Sequence, residues 1–330
     1  MKVLFIGGTG IISSACSRVA IERGIELYHL RRGQTRRPVP AQVKLLAGDC
    51  RDLASCRSAL GQHRFDAVVD FIAFTPAQVA QDIDLFRGRT GHFVFISSAS
   101  AYQTPPARLP VSESTPLDNP VWAYSRDKIA CEERLLLAYR QERFPCTIVR
   151  PSHTYDRTLF PCHGGYTVID RMRKGKPVVV HGDGTSLWTL THHEDFARAF
   201  VPLLGDPRAF GDAFHITSDE WLTWDQIHLL LADAAETKAE LVHLPSEIIA
   251  RHDPEWGDSL LGDKAHSMVF DNSKLRRLVP EFTTTIPFAS GSKDIVDWYR
   301  EDPSRCQVDP AFDVLQDRLA GIYSQALAEI

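Results

Sequence analysis

Apolar residues in the first half of the chain fall into short runs separated by stretches with helical spacing. Residues 2–6 (KVLFI) form the first run, which stops at glycine. Residues 13–23 then carry a helical pattern that ends at Arg23-Gly24, a helix stop. Residues 25–30 (IELYHL) and 43–47 (VKLLA) read as the second and third strands, the latter closed by Gly48-Asp49. The alternation continues with a helix over 52–61, a strand over 66–72 (DAVVDFI), a helix over 76–87 and a strand over 92–97 (HFVFIS). A long helix over 122–141 and a sixth strand over 146–150 (CTIVR) complete it. Strands apolar on both faces, alternating with helices, predict an α/β fold with a doubly wound parallel sheet.

After Pro151 the rhythm changes. Short strand-like pieces (PVVVH, the stretch through Thr189-Leu190-Thr191-His192-His193, and FHIT) mix with helical stretches near 166–174, 194–204, 224–235 and 314–328. The expectation is one domain over 1–165 and a smaller mixed α/β lobe over 166–330, with segments returning to the first domain. The Pro- and Ser-rich stretch 104–120 reads as a long ordered loop, and such loops are often functional.

Composition narrows the function classes. A chain of 330 residues with 44% apolar side chains can bury a sizeable core. A net charge of −5 makes nucleic acid an unlikely partner. No apolar run is long enough to span a bilayer, and the opening MKVLFIGG reads as a strand rather than a secretory leader. Seven dispersed cysteines without a CxxC pair suggest reduced thiols, a cytoplasmic location and no metal site.

Candidate chemistry begins where the first strand ends. Gly7-Gly8-Thr9-Gly10-Ile11-Ile12-Ser13 links that strand to a helix. Glycines there allow a tight turn and close approach of a pyrophosphate, whose charge the helix N-terminus stabilises. The spacing is GxxGxxS, with Ser13 at the third small position. An acidic residue after the second strand would bind ribose hydroxyls, but this chain has Arg31 and Arg32. Guanidinium groups suit a 2′-phosphate, so NADP is the preferred cofactor; NAD is the alternative if these arginines are solvated surface charges. Asp49 is placed to accept from an adenine amino group. Further along, Ser98 lies at the end of the fifth strand, and Tyr124 and Lys128 share one helix face at i, i+4. A lysine ammonium, helped by the charge of a bound nicotinamide, would lower the tyrosine pKa, letting Tyr124 exchange a proton with a substrate hydroxyl or carbonyl while Ser98 hydrogen-bonds the same oxygen.

Together these features resemble the extended short-chain dehydrogenase/reductase superfamily, the group of nucleotide-sugar epimerases, dehydratases and reductases. The resemblance covers nearly the whole chain and matches Gly7, Gly10, Asp49, Ser98, Tyr124 and Lys128. It implies a Rossmann-type dinucleotide-binding domain and a Ser-Tyr-Lys triad, with Ser98 chosen over Ser97 by its distance from Tyr102. Cofactor contacts are expected at Gly7, Gly10, Ile11, Ile12, Arg31, Arg32, Asp49, Cys50, Ala73, Tyr124, Lys128, Pro151 and His153. The last two lie in Arg150-Pro151-Ser152-His153-Thr154-Tyr155, which resembles the family's Arg-Pro-x-x-x-Tyr segment. Ser100, Trp188, His163 and Lys264 are the candidate substrate contacts, the last two expected in loops.

Two departures matter. Sugar-nucleotide epimerases clamp the diphosphate with an arginine where this chain has Trp188, which offers no charge-assisted fork. Related dehydratases place acidic residues after the catalytic Ser or Thr; here Ala99 and Ser100 follow, which disfavours dehydration. Three readings result. One is an epimerase or oxidoreductase acting on a sugar or nucleotide-sugar hydroxyl. Another is an NADP-dependent reductase or dehydrogenase of a small ketone or alcohol. The third is a non-catalytic RNA-associated protein, because the chain also resembles the chloroplast stem-loop-binding branch. The resemblance further implies a homodimer through helices 76–87 and 122–141, with Leu135, Leu136 and Leu137 offering apolar contact.

Overall fold

The computed structural model describes residues 1–33 and 37–328. Six strands follow the predicted order: β1 (Lys2–Ile6), β2 (Glu26–Arg31), β3 (Lys44–Ala47), β4 (Ala67–Asp70), β5 (Phe93–Ile96) and β6 (Cys146–Pro151). A seventh strand, Ala213–Ile216, comes from the second half and pairs in parallel with β6. The sheet order is Ala213–Ile216, β6, β5, β4, β1, β2, β3, and every pair is parallel. Strand order therefore reverses at β1, with β2 on one side and β4 on the other. The crevice beyond the carboxyl ends at such a reversal is where open α/β sheets bind ligands.

Burial follows the period of two within each strand. Val3 and Phe5 join α1 (Ile11–Glu22) and the helix His193–Phe200 in one core layer. Leu4 and Ile6 face the opposite layer with α2 (Leu53–Leu60), α3 (Pro76–Phe86) and α4 (Ala123–Glu142). Of the three leucines expected to meet a second copy, Leu135 is buried in this core, Leu136 packs against it, and Leu137 is exposed.

The second lobe has its own apolar core. Three two-stranded pieces frame it: Val178–His181 with Leu241–Leu244, Leu187–Trp188 with Leu222–Thr223, and His153–Tyr155 with Leu190–His192. The helix Phe288–Glu301 was not anticipated, because its opening FASGS hides the buried spacing Phe288, Ile295, Val296, Tyr299. Gly262, Asp263 and Lys264, expected in a loop, instead belong to a π-helical turn, Leu260–Lys264, that continues the helix Pro254–Ser259. No described helix is long and apolar enough to cross a membrane.

One buried ion pair ties the sheet to α4. Arg150 on β6 donates from Nε to Glu132 Oε1 at 2.9 Å and from Nη2 to Oε2 at 2.5 Å. Burial opposes the Arg150 charge, but the hydrogen bonds and charge of Glu132 outweigh it and hold the pKa above its ordinary value. Ser97 Oγ donates to Glu132 Oε1 at 2.5 Å, so three elements meet at one carboxylate. Removing one partner strands a buried charge, whereas replacing both with apolar groups does not. Glu132→Leu is expected to cost about 3–5 kcal/mol in urea unfolding, with the Glu132→Leu/Arg150→Met double variant recovering part of that loss. Additive losses in the double variant would show that the pair is not coupled.

Candidate active site

The turn after β1 is built for close approach. Gly7 has φ +80°, and a Cβ there would stand 2.5 Å from Ile72 Cγ2. A Cβ on Gly8 would stand 2.4 Å from the His29 ring. Ser13, at the third small position of the motif, closes the turn itself. Its Oγ accepts from Gly10 N at 2.7 Å and donates to Gly7 O at 2.8 Å. Ile11 and Ile12 open α1 directly behind this loop.

At the ends of β2 and β3 the two arginines behave differently. Arg32 is a surface side chain, 65% exposed, with Nη1 4.0 Å from Asp49 Oδ2. Arg31 is turned inward, and among the described residues its buried Nε and Nη1 have no hydrogen-bond partner. Asp49 Oδ1 accepts from Arg51 N at 3.0 Å and so shapes the turn, while the carboxylate stays partly exposed. Cys50 O is held by Gln81 Nε2 at 3.0 Å. The glycine cradle and the orphaned guanidinium together fit a dinucleotide.

Beyond the ends of β5 and β6 lies a cavity of about 330 Å³ whose walls include Ser98, Ser100, Tyr124, His153, Trp188 and Lys264. Pro151 also lines it. Three serines form a chain: Ser125 Oγ donates to Ser100 Oγ at 2.8 Å, and Ser100 Oγ lies 2.9 Å from Ser98 Oγ. With Ser100 donating to Ser98, the Ser98 proton is left free for a group in the cavity. Trp188 is almost fully buried and donates from Nε1 to His153 Nδ1 at 3.1 Å. Burial, helped by the Lys264 charge, lowers the His153 pKa to about 3, so the ring is neutral and its proton sits on Nε2.

Lys128 is 1% exposed, and its Nζ donates to Ala73 O and Ile96 O, each at 2.8 Å. Nζ lies 5.8 Å from the Tyr124 ring centre. The Tyr124 pKa is raised rather than lowered: burial dominates, and a hydrogen bond with Ser98 acts in the opposite direction. Lys128 Nζ is engaged by two backbone carbonyls, and burial keeps the phenol protonated at neutral pH. Ala73 itself is fixed from below, because Asp70 Oδ1 accepts from Ile72 N at 2.6 Å and Ala73 N at 2.8 Å. Asp70 is buried beside Asp82, and burial raises the pKa of both.

His163 is not in this cavity. It stacks on Trp256 with ring centres 5.0 Å apart and lines an adjoining one. Sequence reasoning missed Trp122, Met268 and Phe270 in this cavity wall. It also missed Asp70 and Asp82, although the alternation in 66–72 leaves Asp70 as a charge at a buried strand end.

Fold and cavity define a dinucleotide-dependent enzyme of the Rossmann class. The family model described as "NAD dependent epimerase/dehydratase family" matches residues 3–216, and the chain belongs to that family as one of its enzymes. The chain is 25% identical over 287 residues to the 2'-dehydrokanamycin reductase of Streptomyces kanamyceticus, covering 86% of this chain and 80% of that one. It is also 25% identical over 257 residues to the chloroplast stem-loop binding protein of 41 kDa b of Arabidopsis thaliana, covering 73% of this chain and 65% of that protein. Among solved structures, the epimerase Mth375 of Methanothermobacter thermautotrophicus superposes with a TM-score of 0.76 at 17% identity, over 92% of this chain and 94% of that one.

The burial of Lys128 has a measurable consequence. Desolvation lowers its pKa to about 8 from the ordinary 10.5. The folded state therefore binds fewer protons than the unfolded one between those values, and stability rises with pH across that window. Relative to Lys128→Met, the wild type is expected to gain up to about 3 kcal/mol between pH 8 and 10.5. Urea titrations of both proteins at several pH values check this; a constant difference would place the lysine in a solvated setting.

Proposed function

We propose that the chain is an NAD(P)-dependent oxidoreductase or epimerase that moves a hydride to or from a sugar carbon, with Ser98, Tyr124 and Lys128 as its triad. The observation that carries this reading is the cavity itself. Ser98 and Tyr124 share its wall, and Lys128 stands one turn behind Tyr124 on α4. A nicotinamide cofactor along Gly7, Gly10, Ile11, Ile12, Asp49, Cys50, Ala73, Pro151 and His153 supplies the hydride chemistry. Tyr124 Oη holds the proton exchanged with the substrate oxygen, and Ser98 Oγ hydrogen-bonds the same oxygen. Lys128 fixes the backbone at Ala73 and Ile96 and places its positive charge beneath the site.

A second reading is net reduction of a carbonyl, with which a Tyr124 kept protonated by burial is compatible. A protonated phenol is the right partner for an oxygen that gains charge as the hydride arrives. The Streptomyces kanamyceticus relative is named as a reductase, in line with that direction. The two readings separate by cofactor handling, since an epimerase returns the hydride to its substrate and needs no added cofactor. Tyr124→Phe is expected to keep fold and cofactor binding but lose about 10²–10⁴ in turnover. Turnover near that of the wild type would overturn the triad.

For the cofactor we favour NADP(H), held through Arg31. Its buried, unpartnered Nε and Nη1 are the donors a 2′-phosphate needs, whereas Arg32 is a solvated charge. A charge-assisted contact predicts a preference of roughly tenfold or more over NAD(H). Arg31→Asp should reverse it. Calorimetric titration of both cofactors decides the matter: equal or tighter binding of NAD(H) to the wild type removes Arg31 from the cofactor site and leaves the triad untouched.

A further inference from the structure

The catalytic cavity has a neighbour of about 270 Å³, and the two share Trp122, His153 and Lys264 in their walls. The second chamber is apolar where it is deepest. Phe160, Val180, Trp224, Trp256 and Leu260 line it, each less than a tenth exposed. Its polar groups are committed to the protein. His181 donates from Nε2 to Lys264 O at 3.0 Å, and His228 donates from Nδ1 to Trp224 O at 2.8 Å. Burial lowers the pKa of both rings, so neither carries a charge at neutral pH. No carboxylate or guanidinium lines the chamber among the described residues; Lys264, at the junction with the catalytic cavity, is its one lysine, and the Nε2 of His163 in its wall lies 3.4 Å from Asp253 Oδ2.

Lys264 is fixed in place. Its carbonyl accepts from His181, from Trp224 Nε1 at 3.2 Å and from Ser186 Oγ at 3.3 Å. Its Nζ lies 5.3 Å from the Trp122 ring centre, 5.7 Å from that of Trp188 and 3.8 Å from Asp263 Oδ2. A single ammonium shared with a carboxylate cannot neutralise a diphosphate, and the chamber behind it would bury the remaining charge without a partner.

We propose that the second chamber binds an uncharged, ring-sized apolar group joined to the reacting sugar, so that the substrate is a glycoside of an apolar or aromatic aglycone rather than a nucleotide sugar. The proposal rests on the reading of the first cavity as a site for a sugar hydroxyl. The reacting ring lies against Ser98 and Tyr124. Lys264 Nζ meets an oxygen near the glycosidic link, and the aglycone packs between Trp224 and Trp256.

The test is calorimetric binding to the wild-type enzyme with cofactor present. The probes are phenyl glycosides of glucose, galactose and mannose, their methyl counterparts, and UDP. At least one phenyl glycoside should bind roughly tenfold or more tightly than its methyl counterpart and more tightly than UDP. Trp256→Ala should remove the phenyl preference. Ser259→Trp, which fills the chamber from its rim, should remove it too and guards against a folding defect in the first variant. Overturning results are UDP binding most tightly, no phenyl glycoside exceeding its methyl counterpart (including no binding by either), or a phenyl preference that survives both variants. Because binding is read without turnover, these results leave the hydride-transfer reading standing. Conversely, full turnover by Tyr124→Phe sinks that reading without touching the binding preference.

Discussion

The Glu132–Arg150 ion pair is the constraint from which the rest of the site takes its geometry. It lies in a nearly dry interior, where an unpaired charge is costly and a paired one must keep its partners in register. Each candidate catalytic group is a short covalent distance from it. Ser97, which donates to Glu132, precedes Ser98. Lys128 and Tyr124 lie one and two turns before Glu132 on the same helix, and Pro151 follows Arg150 on β6. The network continues outward, because the Arg150 guanidinium lies 4.8 Å from the Tyr102 ring centre and Tyr102 Oη lies 3.1 Å from His215 Nδ1. His215 belongs to the strand that returns from the second half of the chain. A single buried carboxylate thus links the candidate triad to the sheet edge from which the chain re-enters the second lobe.

The same low dielectric decides how the titratable groups behave. Lys128 could have met Tyr124 directly, but two backbone carbonyls lie closer to its Nζ, and hydrogen bonds to a buried ammonium are strong. The result is a phenol governed by burial and by Ser98, with the lysine acting through the strand ends it clamps. His153 shows the same logic: buried, neutral and oriented by the Trp188 indole, it is a hydrogen-bond donor rather than a cation.

Much of the fold was legible because parallel strands and their helices obey two periods, and the first six strands have no competing signal. The phosphate loop and the i, i+4 pairing of Tyr124 with Lys128 were readable for the same reason: local spacing fixes local geometry. What sequence could not supply was tertiary. The direction of the Tyr124 pKa is set by burial, and the acceptors that Lys128 finds belong to β5 and to the turn after β4. Nor does sequence spacing bring Trp122 next to Lys264, since Asn119 must first bridge Ser100 O and Gly262 O at 3.1 and 2.6 Å. The second half of the turn Leu260–Lys264 reads as a polar loop because it holds Gly262, Asp263 and Lys264. The turn is helical because Leu260 is buried and the Lys264 carbonyl is trapped by three donors.

That turn also changes the meaning of Trp188. Sequence alone records a lost cation at the position where related epimerases hold a diphosphate. In the structure a cation stands nearby after all, but on a different element, above two indole rings and beside Asp263. An arginine fork at the sheet edge would give two parallel donors aimed at phosphate oxygens. An ammonium between indoles gives a point charge with little room and apolar surroundings, a setting suited to one hydroxyl or ether oxygen. Burial raises the Asp263 pKa to about 6, so near neutrality the carboxylate is mostly ionised and offsets the lysine. Lys264 and Asp263 thus leave this aromatic corner with little net charge.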